Sequence, residues 1–264
     1  MESEALIRLG AFFGIFALMA LIELALPRRQ LSLPRSQRWL TNWGISVINT
    51  GVAAAMKLLL GAAAVAAALD AEAMGWGLFN RLDWPGWVEI LLVFVLLDFA
   101  IWAQHWASHK IPLLWRLHRV HHADRDIDVT TAIRFHPLEI ALSMLLKIAL
   151  VYLLGAAAVA VILFEVVLNG AAMFNHANIR LGRADRWLRL AIVTPDMHRV
   201  HHSTIRAEHD TNYGFNLSIW DRIFGTYTPQ PEEGHLGMTI GLAEHQTPAP
   251  ARLLWALGFP FRRL

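Results

Sequence analysis

Long apolar runs separated by short polar stretches dominate the first two thirds of the chain. Residues 5–26, 43–69 and 87–108 are each long enough to cross a bilayer as a helix, which takes about 20 residues. The apolar stretch 138–176 contains Gly155, and we predict that it forms a helical hairpin, or two spans, that turns near residues 154–156. The pattern therefore predicts an all-α polytopic membrane protein with about four transmembrane helices.

The composition agrees with a chain that is embedded in a membrane. Apolar residues make up 56% of the sequence and charged residues 17%, whereas soluble globular domains carry about 25% charged residues. The net charge of +2 and the lack of a lysine–arginine run argue against a nucleic-acid partner. The absence of cysteine excludes disulfides, iron–sulfur clusters and cysteine-ligated zinc. The 13 histidines are then the abundant candidate metal ligands.

The distribution of arginine predicts the orientation. The segment 27–42 is rich in arginine and lacks acidic residues, whereas the segment 70–87 carries both signs of charge. The positive-inside rule therefore places 27–42 in the cytoplasm and 70–87 outside. The arginines of the first segment are Arg28, Arg29, Arg35 and Arg38.

This orientation returns the chain to the cytoplasm after the third span and again after the hairpin. We therefore expect two regions, an N-terminal region of transmembrane helices and loops, 1–86, and a catalytic region, 87–264. Within the second region, a cytoplasmic helical cap should carry the chemically active side chains described next.

The motif HRVHH occurs twice, at residues 118–122 and 198–202. Histidines that are three and four residues apart lie on one face of a helix, and so do His105 and His109. Eight imidazoles exceed the capacity of one ion, because zinc usually takes four ligands and octahedral iron six. We predict that two metal ions share His105, His109, His118, His121, His122, His198, His201 and His202. Iron suits such a ligand set, and ligand type alone leaves zinc and copper open.

The other five histidines carry weaker signals. His209, His235 and His245 are interpreted as structural. His136 and His176 lie near predicted helix ends on the cytoplasmic side, where a structural role and a ligand role are equally consistent with the sequence.

In chain order the histidine spacings are HxxxH, HxxHH and HxxHH. Three flanking segments accompany them: RFHPLE from Arg134, NHANI from Asn175 and NYGFNLSIWDRIFGTY from Asn212. This combination resembles the fatty acid hydroxylase and sterol desaturase superfamily of histidine-box di-iron membrane oxygenases, from about residue 90 to residue 228. The boxes are specific for that superfamily but only weakly specific for substrate, because its members hydroxylate, desaturate or cleave ether lipids.

The resemblance implies a ligand set, cofactors and a substrate class. His105 and His109 match the first box, and the two HRVHH motifs match the second and third. Members often complete the set with a histidine between these two boxes, for which His176 is the better match and His136 the second candidate. The resemblance also implies two iron ions, O2 as co-substrate and a lipid substrate in the membrane.

Imidazole ligands need hydrogen-bond partners that fix each ring. Asp98 is the most informative candidate, because it lies seven residues before His105 on nearly the same helix face. A carboxylate inside a span indicates function by default, with a polar contact between helices as the alternative. Asp221 lies in a predicted amphipathic helix, in an ion pair with Arg222 or in contact with a ligand. The remaining candidates are Asp124, Asp126, Asp128, Glu139, Asn175 and Asp196.

No dinucleotide, flavin or haem motif is apparent in the sequence. We therefore expect electrons from a separate ferredoxin- or cytochrome-like donor with its reductase, docked on the cytoplasmic arginines.

The sequence thus predicts a di-iron, O2-dependent membrane oxidoreductase that hydroxylates a C–H bond of a fatty acyl, sterol or ether lipid. A lipid desaturase and an ether-lipid monooxygenase are alternatives within the same superfamily. A metal-binding or transport protein and a bis-histidine haem electron carrier are alternatives of other classes. A transporter would place its ligands near the bilayer midplane, whereas these histidines crowd at predicted cytoplasmic helix ends.

Overall fold

The computed structural model of the protein describes residues 2–60 and 63–263. Seven longer helices form its body: α1 Glu2–Ala25, α2 Arg35–Leu60, α3 Ala64–Met74, α4 Gly86–Lys110, α5 Pro112–His122, α6 Pro137–Leu154 and α7 Ala158–His176. Six short ones follow: α8 Asp185–Leu188, α9 Pro195–His201, α10 Arg206–His209, α11 Ile219–Ile223, α12 Gly234–Gly237 and α13 Leu253–Gly258. Only isolated bridges, and no strands, occur in these residues.

Among the residues that the structure describes, five candidate spans are long and apolar enough to cross a membrane, against the four or so predicted. They are Leu6–Ala25, Arg35–Arg81, Gly86–Lys110, Pro137–Leu154 and Ala158–His176. The predicted hairpin accounts for two of them, because each of its arms is long enough to cross by itself. The all-α, multi-pass membrane architecture is confirmed.

The hairpin turns where the sequence predicts. Gly155 ends α6 in the left-handed conformation, with φ of 64°, which glycine adopts without the steric cost that a Cβ brings. A Cβ at this position would lie 2.5 Å from the carbonyl oxygen of Trp76. The turn therefore needs glycine for its conformation and for its close approach to the segment that follows α3.

Helix α2 begins earlier than predicted. It starts at Arg35 rather than at residue 43, because Arg38 and Asn42 point into the protein, where both donate hydrogen bonds to Asp124. The predicted span 43–69 is divided between α2 and α3, and residues 61–62 lie outside the described residues.

Small side chains let the spanning helices approach closely. Ala64, Ala67 and Ala68 of α3 are buried against α6 and α7, in a cluster that also contains Val93 of α4 and Phe164 of α7. Alanine-rich surfaces are typical of helix contacts in lipid, where close packing stabilises the bundle. This cluster forms the part of the bundle farthest from the histidines.

The end of α1 lies beside the end of α7. The Arg28 backbone N–H donates to the Asn178 carbonyl (2.9 Å), and the Arg180 N–H donates to the Leu26 carbonyl (3.1 Å). The arginine-rich segment after α1 therefore lies on the same side of the helix bundle as the histidine boxes, as the predicted topology requires.

Candidate metal centre

Four helices carry the predicted ligand histidines. His105 and His109 lie in the last turns of α4, and His176 ends α7. The second box occupies α5, which begins at Pro112, and the third occupies α9 and the residue after it. Proline suits the first position of a helix, because its fixed φ is helical and the N–H that it lacks would have no partner within the helix. Helices α5 and α9 therefore begin at Pro112 and Pro195, each a few residues before a box.

The structure brings nine histidines into two adjacent groups. The candidate ligand atoms within each group all lie within 4.8 Å of one another. His121 and His122 fall in different groups, and so do His201 and His202, as helical spacing predicts. The first group consists of His105, His109, His118, His122 and His201, and the second of His121, His176, His198 and His202.

The second group has the spacing of ligands around one ion. The Nε2 atom of His176 lies 3.1 Å from that of His121 and 3.0 Å from that of His198. The Nε2 atoms of His198 and His202 are 3.3 Å apart. Metal–nitrogen bonds of about 2.0–2.1 Å would separate neighbouring ligands by roughly 3.0–3.4 Å. These residues therefore fit a metal ion.

The first group consists of buried nitrogens that lack partners. The Nε2 atoms of all five rings have no hydrogen-bond partner in the part of the chain that the structure describes. Buried polar atoms are nearly always satisfied, because an unsatisfied one costs free energy. A shared metal ion would satisfy all five, so the donor set of this group also fits a metal.

Hydrogen bonds at Nδ1, the ring nitrogen opposite the metal-facing Nε2, orient four of the ligands. Three of the partners are backbone carbonyls, and the fourth is a carboxylate. The Nδ1 atoms of His105 and His201 lie 2.6 Å from the carbonyl oxygens of Tyr213 and Thr211, respectively. The Nδ1 of His176 lies 2.7 Å from the carbonyl oxygen of Ala172. A carbonyl only accepts, so each Nδ1 is the donor and each Nε2 keeps its lone pair for a metal.

One carboxylate takes the same role toward a boxed histidine. Glu139 Oε1 lies 2.6 Å from His118 Nδ1, and the other oxygen, Oε2, is buried and lacks a partner among the described residues. A carboxylate oxygen at Nδ1 fixes the orientation of a ligand imidazole and leaves Nε2 for a metal. Glu139 is therefore the side chain among the predicted carboxylates that acts on a ligand directly.

Burial keeps four of the boxed imidazoles neutral. Burial first, and then neighbouring imidazoles, lower the pKa of His121, His122, His198 and His202 well below the ordinary value. Neutral imidazole is the form that binds metals. These four rings can thus bind a cation without first losing protons.

Asp98 and Asp221 form a reciprocal contact between α4 and the segment around α11. Trp220 Nε1 donates to Asp98 Oδ2 (2.8 Å), while Trp102 Nε1 of α4 donates to Asp221 Oδ1 (3.0 Å). Asp221 also accepts from the Tyr213 N–H (2.9 Å) and so fixes the residue whose carbonyl holds His105. Asp98 bonds Trp220 and the Leu217 backbone rather than an imidazole, which is the alternative interpretation from the sequence.

Of the two roles that the sequence leaves open for Asp221, the structure does not form the ion pair with Arg222. Arg222 donates instead to the Arg189 carbonyl (2.8 Å) and lies over the Tyr227 ring. The carboxylate is turned toward α4, where it accepts from the Trp102 indole and from backbone N–H groups.

The other polar candidates tie loops to the box helices. Asn175 Nδ2 donates to the Phe215 carbonyl (3.0 Å), and Asp196 accepts from Arg28 (3.0 Å) and also pairs with Arg199. Asp126 accepts from the Ser32 N–H (2.8 Å). They position the backbone around the two groups without contacting the rings.

Arg38 holds the loop after the second box. Its guanidinium makes two bonds to Asp124 (2.7 and 2.8 Å) and pairs with Asp128. Burial raises the pKa of Asp124, but the Arg38 charge outweighs that effect and the pKa falls to about 2. Asp128 in turn accepts from the Thr130 N–H (2.9 Å) and caps the turn after it. An arginine interpreted as a topology signal is therefore also a buried structural charge.

His136 lies outside both groups. Its Nδ1 accepts from the Leu138 N–H (3.2 Å) at the start of α6, and its Nε2 lies 3.2 Å from the Leu257 carbonyl oxygen. A closer neighbour that the sequence did not predict is His209, whose ring centroid lies 5.4 Å from that of His109. His209 lies on the separate short helix α10, and the chain turns between α9 and α10, so its distance along the sequence from the third box carries no signal for this contact.

The fold and the two histidine groups define a multi-pass helical membrane protein with a buried site built to bind metal. The sequence profile of the fatty acid hydroxylase family matches residues 90–226, just over half of the chain. The chain belongs to this family.

The similar curated proteins act on lipids, according to their names. Ornithine lipid hydroxylase OlsE of Rhizobium tropici is 33% identical over 166 residues, which cover 61% of this chain and 49% of that protein. Alkylglycerol monooxygenase of Homo sapiens is 32% identical over 162 residues, which cover 61% of this chain and 35% of that protein. The chain thus spans half or less of the length of these relatives. No solved structure is significantly similar to it.

The placement of His176 and His136 predicts different effects on metal retention. His176→Ala removes one of the four Nε2 atoms of the second group, so protein grown in excess iron should contain clearly fewer than two irons. His136→Ala leaves both groups intact and should approach full occupancy. Iron quantification on the two purified variants checks this, and iron loss from His136→Ala with retention by His176→Ala would reverse the assignment.

Proposed function

We propose that the protein is a di-iron, O2-dependent oxidoreductase that hydroxylates a C–H bond of a membrane lipid. The observation that carries this proposal is the pair of adjacent groups formed by nine buried histidines. Family membership and relatives named as lipid hydroxylases and monooxygenases support it.

The proposed ligands are His105, His109, His118, His122 and His201 for one iron and His121, His176, His198 and His202 for the other. When bound, the irons supply the O2 activation that oxidation of a C–H bond requires. The chain contributes rigid imidazoles, which are held at Nδ1 by carbonyls and by Glu139. It also contributes burial, which excludes bulk water from the rings. His105 and His118 line a cavity among the spanning helices, so the substrate approaches the first group.

Desaturation and ether-lipid oxidation remain the alternatives of the same chemistry. The similarity to a protein named alkylglycerol monooxygenase supports ether-lipid oxidation as an alternative. A transporter is less consistent with the geometry, because the histidines lie at the ends of α4 and α7 and on the short helices α5 and α9. Transport sites are typically formed by broken helices near the bilayer midplane.

We propose that electrons arrive from a separate ferredoxin- or cytochrome-like protein with its reductase. The arginines that were expected to dock it are partly engaged inside the protein. Arg38 is fully buried, Arg28 pairs with Asp196, and Arg29 donates to the Met238 carbonyl (2.8 Å). Docking by charge would then depend on exposed residues such as Arg183 and Arg186.

We propose that the metal site faces the cytoplasm, and cysteine labelling tests this. The chain has no cysteine, so Ser36→Cys and Asp83→Cys each create a single thiol at an exposed position. In intact cells a membrane-impermeant maleimide should label Asp83→Cys only, and lysis should expose Ser36→Cys. Labelling of both in intact cells would contradict the proposed topology.

The reaction is tested by lipid mass spectrometry of cells with and without the gene. We expect a lipid that carries one additional oxygen to disappear when the gene is removed. Iron quantification and an optical spectrum of the purified protein accompany the experiment. Two irons without a haem band support the proposal, and a haem band or the absence of iron would contradict it.

A further inference from the structure

Two segments on either side of the third box form one unit. Residues 185–193 lead into α9, and residues 216–224 run through α11. The Val193 N–H donates to the Asn216 carbonyl (2.9 Å), and further hydrogen bonds join the two segments. The segments therefore lie side by side, and their exposed side chains belong to one surface.

The exposed side chains of this unit are mostly large and apolar. Trp187 is 64% exposed, and Leu190 and Ile223 are each 60% exposed. A contiguous apolar surface on a soluble protein is normally small, and a larger one marks an interaction site. We call this surface the apolar patch, and its members are Trp187, Leu190, Ile192, Ile219, Ile223 and Phe224.

The exposed charges beside the apolar patch are all positive. Within residues 180–193 and 216–225, the exposed charged side chains are Arg180, Arg183, Arg186 and Arg222. The two acidic residues of these segments, Asp185 and Asp221, are buried, where they accept hydrogen bonds from Thr194 and Trp102. Cations beside an apolar face are typical of segments that lie in the interface of a membrane with anionic lipids.

Exposed tryptophans on α4 indicate where the membrane lies. Trp87 and Trp106 are 70% and 41% exposed, and they are 19 residues apart in one helix. At about 1.5 Å per residue their separation is about 28 Å, close to the roughly 30 Å of a hydrocarbon core. Tryptophan is enriched at both membrane–water interfaces, so these two residues mark the edges of the hydrocarbon region.

The apolar patch is docked on α4 between these two tryptophans. The Phe224 ring stacks on Trp102, with centroids 4.4 Å apart, and the Trp220 ring lies 5.1 Å from that of Phe99. Trp102 precedes Trp106 by four residues, which places it about 6 Å further into the hydrocarbon region. The side of this segment that faces away from α4 therefore lies at the depth of lipid acyl chains.

We infer that the apolar patch is inserted in the adjacent lipid leaflet, with Arg183 and Arg186 at the phosphates of anionic lipids. Helices α8 and α11 are then an interfacial attachment in addition to the spanning helices. Because residues 185–193 lead into α9, the lipid contact also steadies the helix that carries the third box. The inference depends on the multi-pass architecture and not on the proposed reaction.

Single cysteines test the insertion, because the chain has none of its own. Leu190→Cys and Ile223→Cys are labelled with the environment-sensitive fluorophore NBD in the full-length, iron-loaded protein. The vesicles contain phosphatidylcholine that is spin-labelled on the acyl chain. We expect both labels to lose emission to the extent seen for Leu91→Cys, a position that is 55% exposed on α4. A label at Glu233→Cys, an exposed position next to α12, should instead be quenched by aqueous iodide.

Spin-labelled phosphatidylglycerol and phosphatidylcholine, compared at equal mole fraction, test the arginines. With the label at Leu190→Cys, we expect the anionic lipid to quench more strongly, because Arg183 and Arg186 concentrate it at the apolar patch. Arg183→Gln combined with Arg186→Gln should make the two lipids equal. Arg81→Gln, which removes an exposed arginine outside these segments, is the matched control and should keep the difference.

Melting temperature and iron content show that each variant is folded. Leu190 and Ile223 lie on different segments, so the test holds if one labelled variant does not fold.

Three results would overturn the inference. The first is iodide quenching at both patch positions without lipid quenching, and relief of it by an acidic electron-donor protein would assign the patch to that donor. The second is protection from both quenchers together with disulfide cross-linking of unlabelled Leu190→Cys, which would place a second copy of the chain on the patch. The third is equal quenching by the two spin-labelled lipids while both arginines are present. None of these measurements depends on whether lipid hydroxylation is observed.

Discussion

His121→Ala and His201→Ala are each expected to abolish most of the proposed lipid oxidation and to lower the iron content. His121 belongs to the second histidine group and His201 to the first, so each substitution damages a different half of one centre. Loss of a residue that only orients a ligand typically costs about 10- to 100-fold, and loss of a ligand should exceed the upper end of that range. The double variant should be little worse than either single one, because residues of one site act as a unit.

The measurement is turnover together with iron per protein for the two single variants and the double variant. His245→Ala is the control, since this ring packs against Trp255 and Phe259 and belongs to neither group. Full activity in either single variant, or additive losses in the double variant, would argue against one shared centre.

Arg38→Met should destabilise the fold by about 3–5 kcal/mol, the usual cost of removing one partner from a buried ion pair. The guanidinium is fully buried, and Asp124 and Asp128 beside it are 3% and 0% exposed. Without Arg38 both carboxylates would remain buried with less compensation. Thermal unfolding of the purified protein measures the effect, and Arg35→Met removes the same charge from a less buried position of α2 as the control.

The Arg38 effect should depend on pH in a defined direction. In the wild type, the pKa of Asp124 falls from 3.8 to about 2, so its contribution to stability is present above the unfolded pKa and lost only as the pH falls toward about 2. In Arg38→Met, burial alone raises the pKa of Asp124, and protonation at mildly acidic pH relieves the penalty. The stability difference should therefore shrink between pH 7 and pH 5, and a constant difference would contradict the electrostatic explanation.

The sequence predicts the helices and the histidine groups well because both depend on spacing along the chain. Apolar runs of bilayer length place the spans, and Gly155 marks the turn of the hairpin. Residues three and four apart share a helix face, so the division of His121 and His122 between two groups follows from geometry alone. These features are local, and a linear pattern carries them.

The contacts that orient the ligands could not be predicted in the same way. Three of the four ring partners are backbone carbonyls, such as those of Thr211 and Tyr213, and a carbonyl occurs at every position whatever the side chain. Arg38 illustrates a second limit. A charge that follows a span serves equally as a topology signal and as one half of an ion pair with Asp124, and only the three-dimensional fold distinguishes the two.

The origin of the ligands along the chain also bears on biosynthesis. Each histidine group combines residues that precede position 123 with residues that follow position 197, and two of the rings are held by carbonyls at positions 211 and 213. Neither group is complete on a nascent chain until the third box has left the ribosome and met helices already inserted in the membrane. We therefore expect the two groups to be completed late in synthesis, once the third box is in place.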